Sequence, residues 1–346
     1  MKKILSVFSL FFVMSCLFAN DTYFFMASGQ LVPAKETDIE IEMKEEIINI
    51  ILEKDYYSVS VDFLFYNNGY TVNLQVGFPF FCSGNYGNGE ISDFRCWLNN
   101  IETSYADYPI VKEWSGRSKS DEQSELETAY VRTITFPSKE TTATKISYKS
   151  TYGSVSSCEI AKYLYGTGSS WKNSIGKMTV RIQNNNDLYR YPSVTLPNGT
   201  RIQRINKNTW ECVRLNIEPK NYTDSITIII GDIFGDDGPK VLNKDRYFGC
   251  NKRISSDELL WYTRPQLRLI RNAIYAFNGY PFKSPDLIEL FEENCVQYRW
   301  YGWDSEKNDN SEYPLDEKFS EAKLSDIEKY NINLILEEEN KLKKYE

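Results

Sequence analysis

No histidine occurs anywhere in the 346 residues. That absence removes several chemistries at once. A Ser-His-Asp triad, a Cys-His pair, an HExxH zinc site and a haem held by imidazole all need a ring this chain does not have. No CxxC pair suggests a zinc ribbon or a thioredoxin-type dithiol, and neither a G-x-G-x-x-G string nor a Walker A loop is present to cradle phosphates. No long Lys/Arg block occurs either, and 40 Lys and Arg against 48 Asp and Glu give a net charge of −8. An acidic chain without such a block holds phosphate backbones poorly, so no nucleic-acid partner is expected. What remains is the chemistry of carboxylates, Lys, Tyr or a lone Cys, and no cofactor is expected.

The chain is rich in apolar and aromatic residues. Hydrophobic residues make up 41% and aromatics 15%, with 25 Tyr, 19 Phe and 7 Trp. That is enough for two cores at the usual domain size of about 150 residues. The opening MKKILSVFSLFFVMSCLFA sets Lys2 and Lys3 before an apolar run from Ile4 to Met14. This is the layout of a secretory leader, shorter than the roughly 20 residues of a membrane span. Residues 1–19 are therefore expected to be a signal peptide that sends the protein to the periplasm or cell surface. Ala19 offers a small residue at the cleavage point. Alternatively, Val13-Met14-Ser15-Cys16 reads as a lipobox, and a lipid on Cys16 is then the one expected route of membrane attachment. Loss of the leader leaves 38 basic against 48 acidic residues, a net charge of −10.

Besides Cys16 there are six cysteines, Cys82, Cys96, Cys158, Cys212, Cys250 and Cys295. An even number in an exported chain is the count expected for disulfides. Cys82 with Cys96 would close a Gly- and Asn-rich loop, for a gain of roughly 3 kcal/mol on a chain-entropy argument. Cys250 with Cys295 is a second candidate pair.

From residue 20 to 245 the period is two. Tyr57, Val59, Val61, Phe63 and Phe65 share one face, and Val72, Leu74, Val76 and Phe78 resume the pattern after Asn67-Asn68-Gly69. The spacing predicts a hairpin that turns at the Asn-Gly pair and ends at Pro79. Further strands are expected over 130–136, 144–151, 177–183, 201–205, 211–217 and 225–231, with a short helix over 157–165 and a polar surface loop over 113–124. An antiparallel β-sandwich fits this spacing. Tyr163, Tyr165, Trp171 and Trp210 are either core or a stacking platform for a sugar ring or peptide. GDIFGDDGP places Asp232, Asp236 and Asp237 in one turn. Such oxygen ligands suit Ca²⁺, but the spacing and closing Glu of a helix-loop-helix site are missing, and Asx turns account for them more simply.

The runs SGQLVPAKETDIEIEMKEEIINI and YYSVSVDFLFYNNGYTVNLQVGFPF, with YLYGTGSSWKNSIGKMTVRI further on, resemble an uncharacterised class of exported bacterial β-sandwich proteins. That resemblance implies fold and export and no known reaction.

Composition changes after Gly249. Thr263 is placed to cap a helix with Pro265 in its first turn, and Leu267, Ile270, Ile274 and Phe277 form one apolar stripe that Gly279 ends. Ser284 and Pro285 open a shorter helix carrying Leu287, Leu290 and Phe291. An acidic hydrophilic loop over 304–321 follows, and then a last helix with a Ser325/Glu328 capping box and an expected stripe through Ile327, Tyr330 and Leu334.

LRLIRNAIYAFNGYPFKSPDLIELFEENCVQYRWY, with LSDIEKYNINLILEEE behind it, resembles the YARHG domain, a small exported bacterial module, here over residues 256–340. The framework positions include Arg271-Asn272, Ile274-Tyr275-Ala276, Gly279-Tyr280, Trp300-Tyr301 and Asn331-Ile332. Phe277 and Asn278 stand where the family has Arg and His, so an activity carried by that pair would be lost or changed here. The family keeps company with signal peptides, lipid anchors and peptidases, which implies a role at the cell wall or envelope.

Read as residues, Arg271 is placed to pair with Glu289, Glu292 or the carboxylates of the last helix. Tyr275, Tyr280, Trp300 and Tyr301 either lock the short helices together or line a ligand groove. Tyr262 and Trp303, outside the stripes, are candidates for an exposed binding surface. Three functions compete. The leading one is a non-enzymatic envelope protein that binds peptidoglycan or another envelope protein. A carboxylate-based hydrolase of wall glycan would need two acids across one cleft. A purely structural surface protein would need no groove.

Overall fold

Side chains that alternate across a pleated backbone bury one face and leave the other to solvent, and long stretches of this chain do so. The structure, a computed structural model, describes residues 17–18, 22–27, 30–33, 39–81, 91–109, 128–155, 158–173, 175–221, 224–234, 247–293, 301–304, 309–312 and 319–346. Its first strands are β1 (Leu17–Phe18), β2 (Thr22–Ala27), β3 (Gln30–Pro33), β4 (Ile41–Leu52), β5 (Tyr56–Asn67), β6 (Val72–Phe81), β7 (Ile91–Leu98), β8 (Ile101–Thr103), β9 (Ala106–Pro109) and β10 (Thr128–Phe136). There follow β11 (Thr141–Thr151), β12 (Gly153–Val155), β13 (Cys158–Leu164), β14 (Ile175–Asn184), β15 (Arg190–Thr195), β16 (Arg201–Asn206), β17 (Thr209–Ile217), β18 (Ser225–Asp232), β19 (Tyr301–Asp304) and β20 (Asp309–Glu312). The helices are α1 (Phe248–Asn251), α2 (Arg264–Ala276), α3 (Pro285–Leu287), which runs on as a π-helical turn Ile288–Glu293, and α4 (Asp326–Leu342). The architecture is thus mainly antiparallel β with a small C-terminal helical region, as the spacing predicts.

The chain divides into two compact units, Met1–Glu46 with Val61–Lys177 and Leu215–Thr227, and Ile47–Ser60 with Met178–Arg214 and Ile228–Glu346. Strands β4, β5, β14, β17 and β18 each contribute one part to each unit. In the first unit one sheet runs β3-β2-β6-β10-β9 with β1 beside β6, and a second includes β4-β5-β11-β7-β8. Aromatic rings lock the two sheets face to face. Phe78 of β6 meets Phe94 of β7 at 5.6 Å and Tyr148 of β11 at 5.3 Å, and Phe65 of β5 meets Phe136 of β10 edge-on at 5.7 Å. This is the interior of a sandwich. Tyr163, Tyr165 and Trp171 are core in this unit, each less than a tenth exposed.

Several expectations are overturned here. Strands β5 and β6 do not form a hairpin, because β5 pairs with β4 and β11 while β6 pairs with β2 and β10. Asn67-Asn68-Gly69 is instead a corner between sheets. The Asn67 side chain is buried; it donates to the carbonyls of Tyr70 (2.8 Å) and Phe136 (2.9 Å) and accepts from the Gly69 N–H (2.8 Å). Pro79 does not end β6, for the strand continues through it opposite Ala129 of β10. Where a short helix is expected over 157–165, Cys158–Leu164 form strand β13. The hydrophilic stretch after Trp303 holds a hairpin of β19 and β20. The loop over 113–124 lies outside the described residues, as do residues 1–16.

Among the described residues no disulfide is found. Cys96, Cys158, Cys212 and Cys250 are all thiols, and Cys82 and Cys295 lie outside the described residues. Cys96 sits buried on β7 with its Sγ 3.2 Å from the Thr103 carbonyl. Burial pushes the Cys212 thiol up to about 12, so it behaves as a small apolar residue.

In the second unit the remaining parts of the long strands order as β16-β17-β14-β4-β5, and β18 pairs with β15. The helices share one core that includes Ile233, Leu259, Leu267, Ile270, Ile274, Phe291 and Ile335. The stripe expected on α2 is buried at Leu267, Ile270 and Ile274, and Gly279 follows with φ +75°. On α4 the buried face is Glu328, Asn331, Ile332, Ile335 and Glu339; Tyr330 of the expected stripe is 41% exposed. The face turned because its polar members find partners. Arg271 donates to Glu339 at 2.6 Å, Asn278 to Glu328 at 3.0 Å, and Asn331 to the carbonyls of Gly249 and Lys252.

Candidate functional site

Helix α2 starts where the sequence places its cap. The Thr263 N–H donates to the Gln266 side-chain oxygen at 2.8 Å, and Pro265 occupies the first turn, where a missing N–H costs nothing. The amide nitrogen of Gln266 donates to the Arg190 carbonyl at 2.8 Å. That bond seats the helix start beside two loops of the same unit, β14 to β15 and the β16–β17 turn. Between them lies a cleft of about 240 Å³.

Asparagines hold these loops. Asn184 accepts from the Asn186 N–H and donates to the Arg190 carbonyl, and Asn208 donates to the Asn184 carbonyl at 2.9 Å. Asx turns fix short loops in this way without secondary structure. Asn186 is different. Its side-chain nitrogen and oxygen are both buried at the cleft and make no hydrogen bond to the described residues. Buried polar groups are nearly always partnered, and this amide in the cleft wall departs from that rule.

Arg204 and Lys207 contribute positive charge from the hairpin side, and Arg264 from the first turn of α2. Arg204 has no carboxylate partner among the described residues. Its guanidinium donates to the carbonyls of Lys207 (3.0 Å), Leu260 (2.9 Å) and Tyr262 (2.6 Å), and lies 4.5 Å over the Trp210 ring. Burial pulls its pKa down to about 10, which leaves it cationic at neutral pH. Arg264 pairs with Glu346, and its Nε–H is buried without a partner among the described residues. Two carboxylates, Asp187 and Glu346, stand against the three cations.

For glycan hydrolysis one acid of a pair must be held protonated, with its pKa raised. Glu346 is shifted the other way, because its hydrogen bond from Arg264 holds it below the usual carboxylate range. Asp187 is committed to its own turn, where it accepts from the Tyr189 N–H at 3.0 Å.

The described residues of the C-terminal part singled out from sequence lie elsewhere in this unit. Tyr262 is not on the surface; it is buried, 4.5 Å from Tyr191, and burial pushes its phenol far up. It contributes to the site through its carbonyl, which Arg204 holds. Arg271 is tied to Glu339. Tyr275 and Tyr280 are half-buried and do come together, with Phe319 at 6.0 and 5.0 Å from them. Trp300 lies outside the described residues, and only the backbone of Tyr301 and Trp303 is described. Asp232 accepts from the Phe234 N–H at 2.7 Å in an Asx turn; Asp236 and Asp237 lie outside the described residues. Sequence reasoning passed over Asn184 to Asp187 and Asn206 to Asn208 as gaps between strands. The signal available there was three consecutive Asn followed by Asp.

No curated protein sequence matches the chain. Among solved structures, a candidate nutrient-binding protein of Legionella pneumophila aligns over 94% of this chain and 98% of its own, at 17% identity and a TM-score of 0.49. An M1 zinc metallopeptidase of Deinococcus radiodurans aligns over 57% of this chain at 8% identity and a TM-score of 0.33, and this chain spans 44% of its length. A family model, that of the YARHG domain, matches residues 250–340 in the C-terminal part.

Proposed function

We propose that this is an exported, non-enzymatic protein of the bacterial envelope, and that it binds cell-wall material in the cleft at the start of α2. The observation that carries this reading is the Asn186 amide, buried in the cleft wall with no hydrogen-bond partner among the described residues. Three cations beside it add to the binding character of the site. The leader-like first 19 residues support export, and the YARHG domain supports the envelope.

The test is co-sedimentation of the intact protein with purified sacculi, beside the variant Asn186→Ala/Lys207→Glu. Neither side chain hydrogen-bonds to the described residues, so the fold and its melting temperature should not change. The intact protein is expected in the pellet, and the variant's pelleted fraction should fall several-fold. Intact, folded protein that stays in the supernatant sinks the wall-binding proposal.

A further inference from the structure

The cleft also points to what kind of group it holds. Three cations, Arg204, Lys207 and Arg264, line it beside Asp187 and Glu346. A dianionic phosphate would meet those carboxylates in a small space. The positive end of α2, a 13-residue helix, opens on the same space and favours negative charge there. Arg264 already grips one planar carboxylate, that of Glu346, so its geometry suits this group. Asn186 supplies the complement once its amide, buried in the wall, rotates into the space, with N–H donors for an anionic oxygen and a carbonyl oxygen that accepts from a neighbouring amide N–H. A carboxylate with an amide N–H beside it is the C-terminal end of a peptide.

We infer that the cleft binds the free carboxyl end of a short peptide, with Arg264 and Lys207 on the carboxylate and Asn186 on the last peptide bond, in competition with the Glu346 side chain. This rests on the binding role proposed above and narrows it to a ligand class. Cell-wall stem peptides end in this chemistry, whereas glycan strands do not.

The intact protein is titrated by calorimetry with N-acetyl-Ala-Ala, with the same dipeptide capped as a C-terminal amide, and with inorganic phosphate. A charge-assisted pair at this site predicts that capping weakens binding about tenfold or more. Raised salt should weaken the free acid and leave the capped form unchanged. The variant Glu346→Gln frees Arg264 and should bind the free acid several-fold more tightly. Equal binding of the two dipeptides, stronger binding of phosphate, or no binding of the acid at millimolar concentration each overturns the assignment. Sacculus pelleting that survives any of those outcomes would keep the wall-binding role and move its site.

Discussion

Two arginines of this protein show how much a charge can matter to stability and how little. Arg204 is largely desolvated and satisfies three carbonyls, those of Lys207, Leu260 and Tyr262, while it stacks on Trp210. Its replacement by Met keeps the stacking surface but strands those acceptors. A lost hydrogen bond to a charged group costs about 1.5–3 kcal/mol, and more is lost when several acceptors are left together. Arg204→Met is therefore expected to destabilise by about 2–4 kcal/mol. Arg204→Lys should rescue little, because a point charge cannot reproduce the planar fork. Urea unfolding read by tryptophan fluorescence is suited to the measurement, since Trp210 and Trp261 lie 5.3 Å apart at the site; a loss under 1 kcal/mol would show the contacts to be incidental. Arg268 and Asp286 make the opposite case. Hydrogen bonds from Arg268 and Ser284 pull the Asp286 carboxyl down to about 2 from 3.8. A lowered folded pKa means that the pair stabilises above about pH 4 and that this is lost as pH falls towards 2. Yet the Asp286 side chain is 57% exposed, so solvent screens the pair and Asp286→Asn should cost less than about 1 kcal/mol at neutral pH.

Among the elements, α4 carries the most unusual arrangement: its inward face holds two glutamates and an asparagine. Glu328 serves twice there. One oxygen accepts from the Ser325 N–H at 2.8 Å to complete the capping box, and the other accepts from Asn278 at 3.0 Å. Ser325→Ala removes only the reciprocal cap bond and should cost about 1 kcal/mol. Glu328→Ala removes the cap bond and leaves the Asn278 amide short of an acceptor, so about 2–3 kcal/mol is expected. Equal losses in a thermal or urea titration would show that the Asn278 contact contributes nothing. The capping box was legible in the sequence because it is local, four residues that satisfy each other. The buried face was not, because Glu328, Asn331 and Glu339 look like surface residues until their partners arrive from α2 and the chain around α1. The same distinction runs through the strands. Period two showed which residues of β5 and β6 are buried, and it could not show that Asn67 sends the chain to another sheet. The candidate site was hidden for a related reason. Asn184 to Asp187, Asn206 to Asn208 and the start of α2 each read as ordinary turn or cap chemistry, and only the fold brings them to one cleft.

At the scale of the whole molecule, the compact unit that contains the residues matching the YARHG domain begins well before them. The family match starts at residue 250, but Ile47–Ser60 and Met178–Arg214 belong to the same unit. The attachments are specific. Trp210 donates its indole N–H to the Leu260 carbonyl at 2.9 Å, Gln266 holds the Arg190 carbonyl, and Tyr345 donates to the Arg204 carbonyl at 3.0 Å. Trp210 itself is fully buried. A fragment spanning 247–346 would lose all of these partners while keeping short helices, and one of them, α3, is a single turn. Core burial in such a fragment is thin for its length. Expressed alone, residues 247–346 should therefore show helical circular dichroism without a cooperative thermal transition. A chain cut after residue 246 should in turn expose Trp210, with a red-shifted emission and a lowered melting temperature. A sharp, reversible transition in the isolated fragment would show the helical module to be self-sufficient. It would also make the strand contacts a docking surface rather than part of its core.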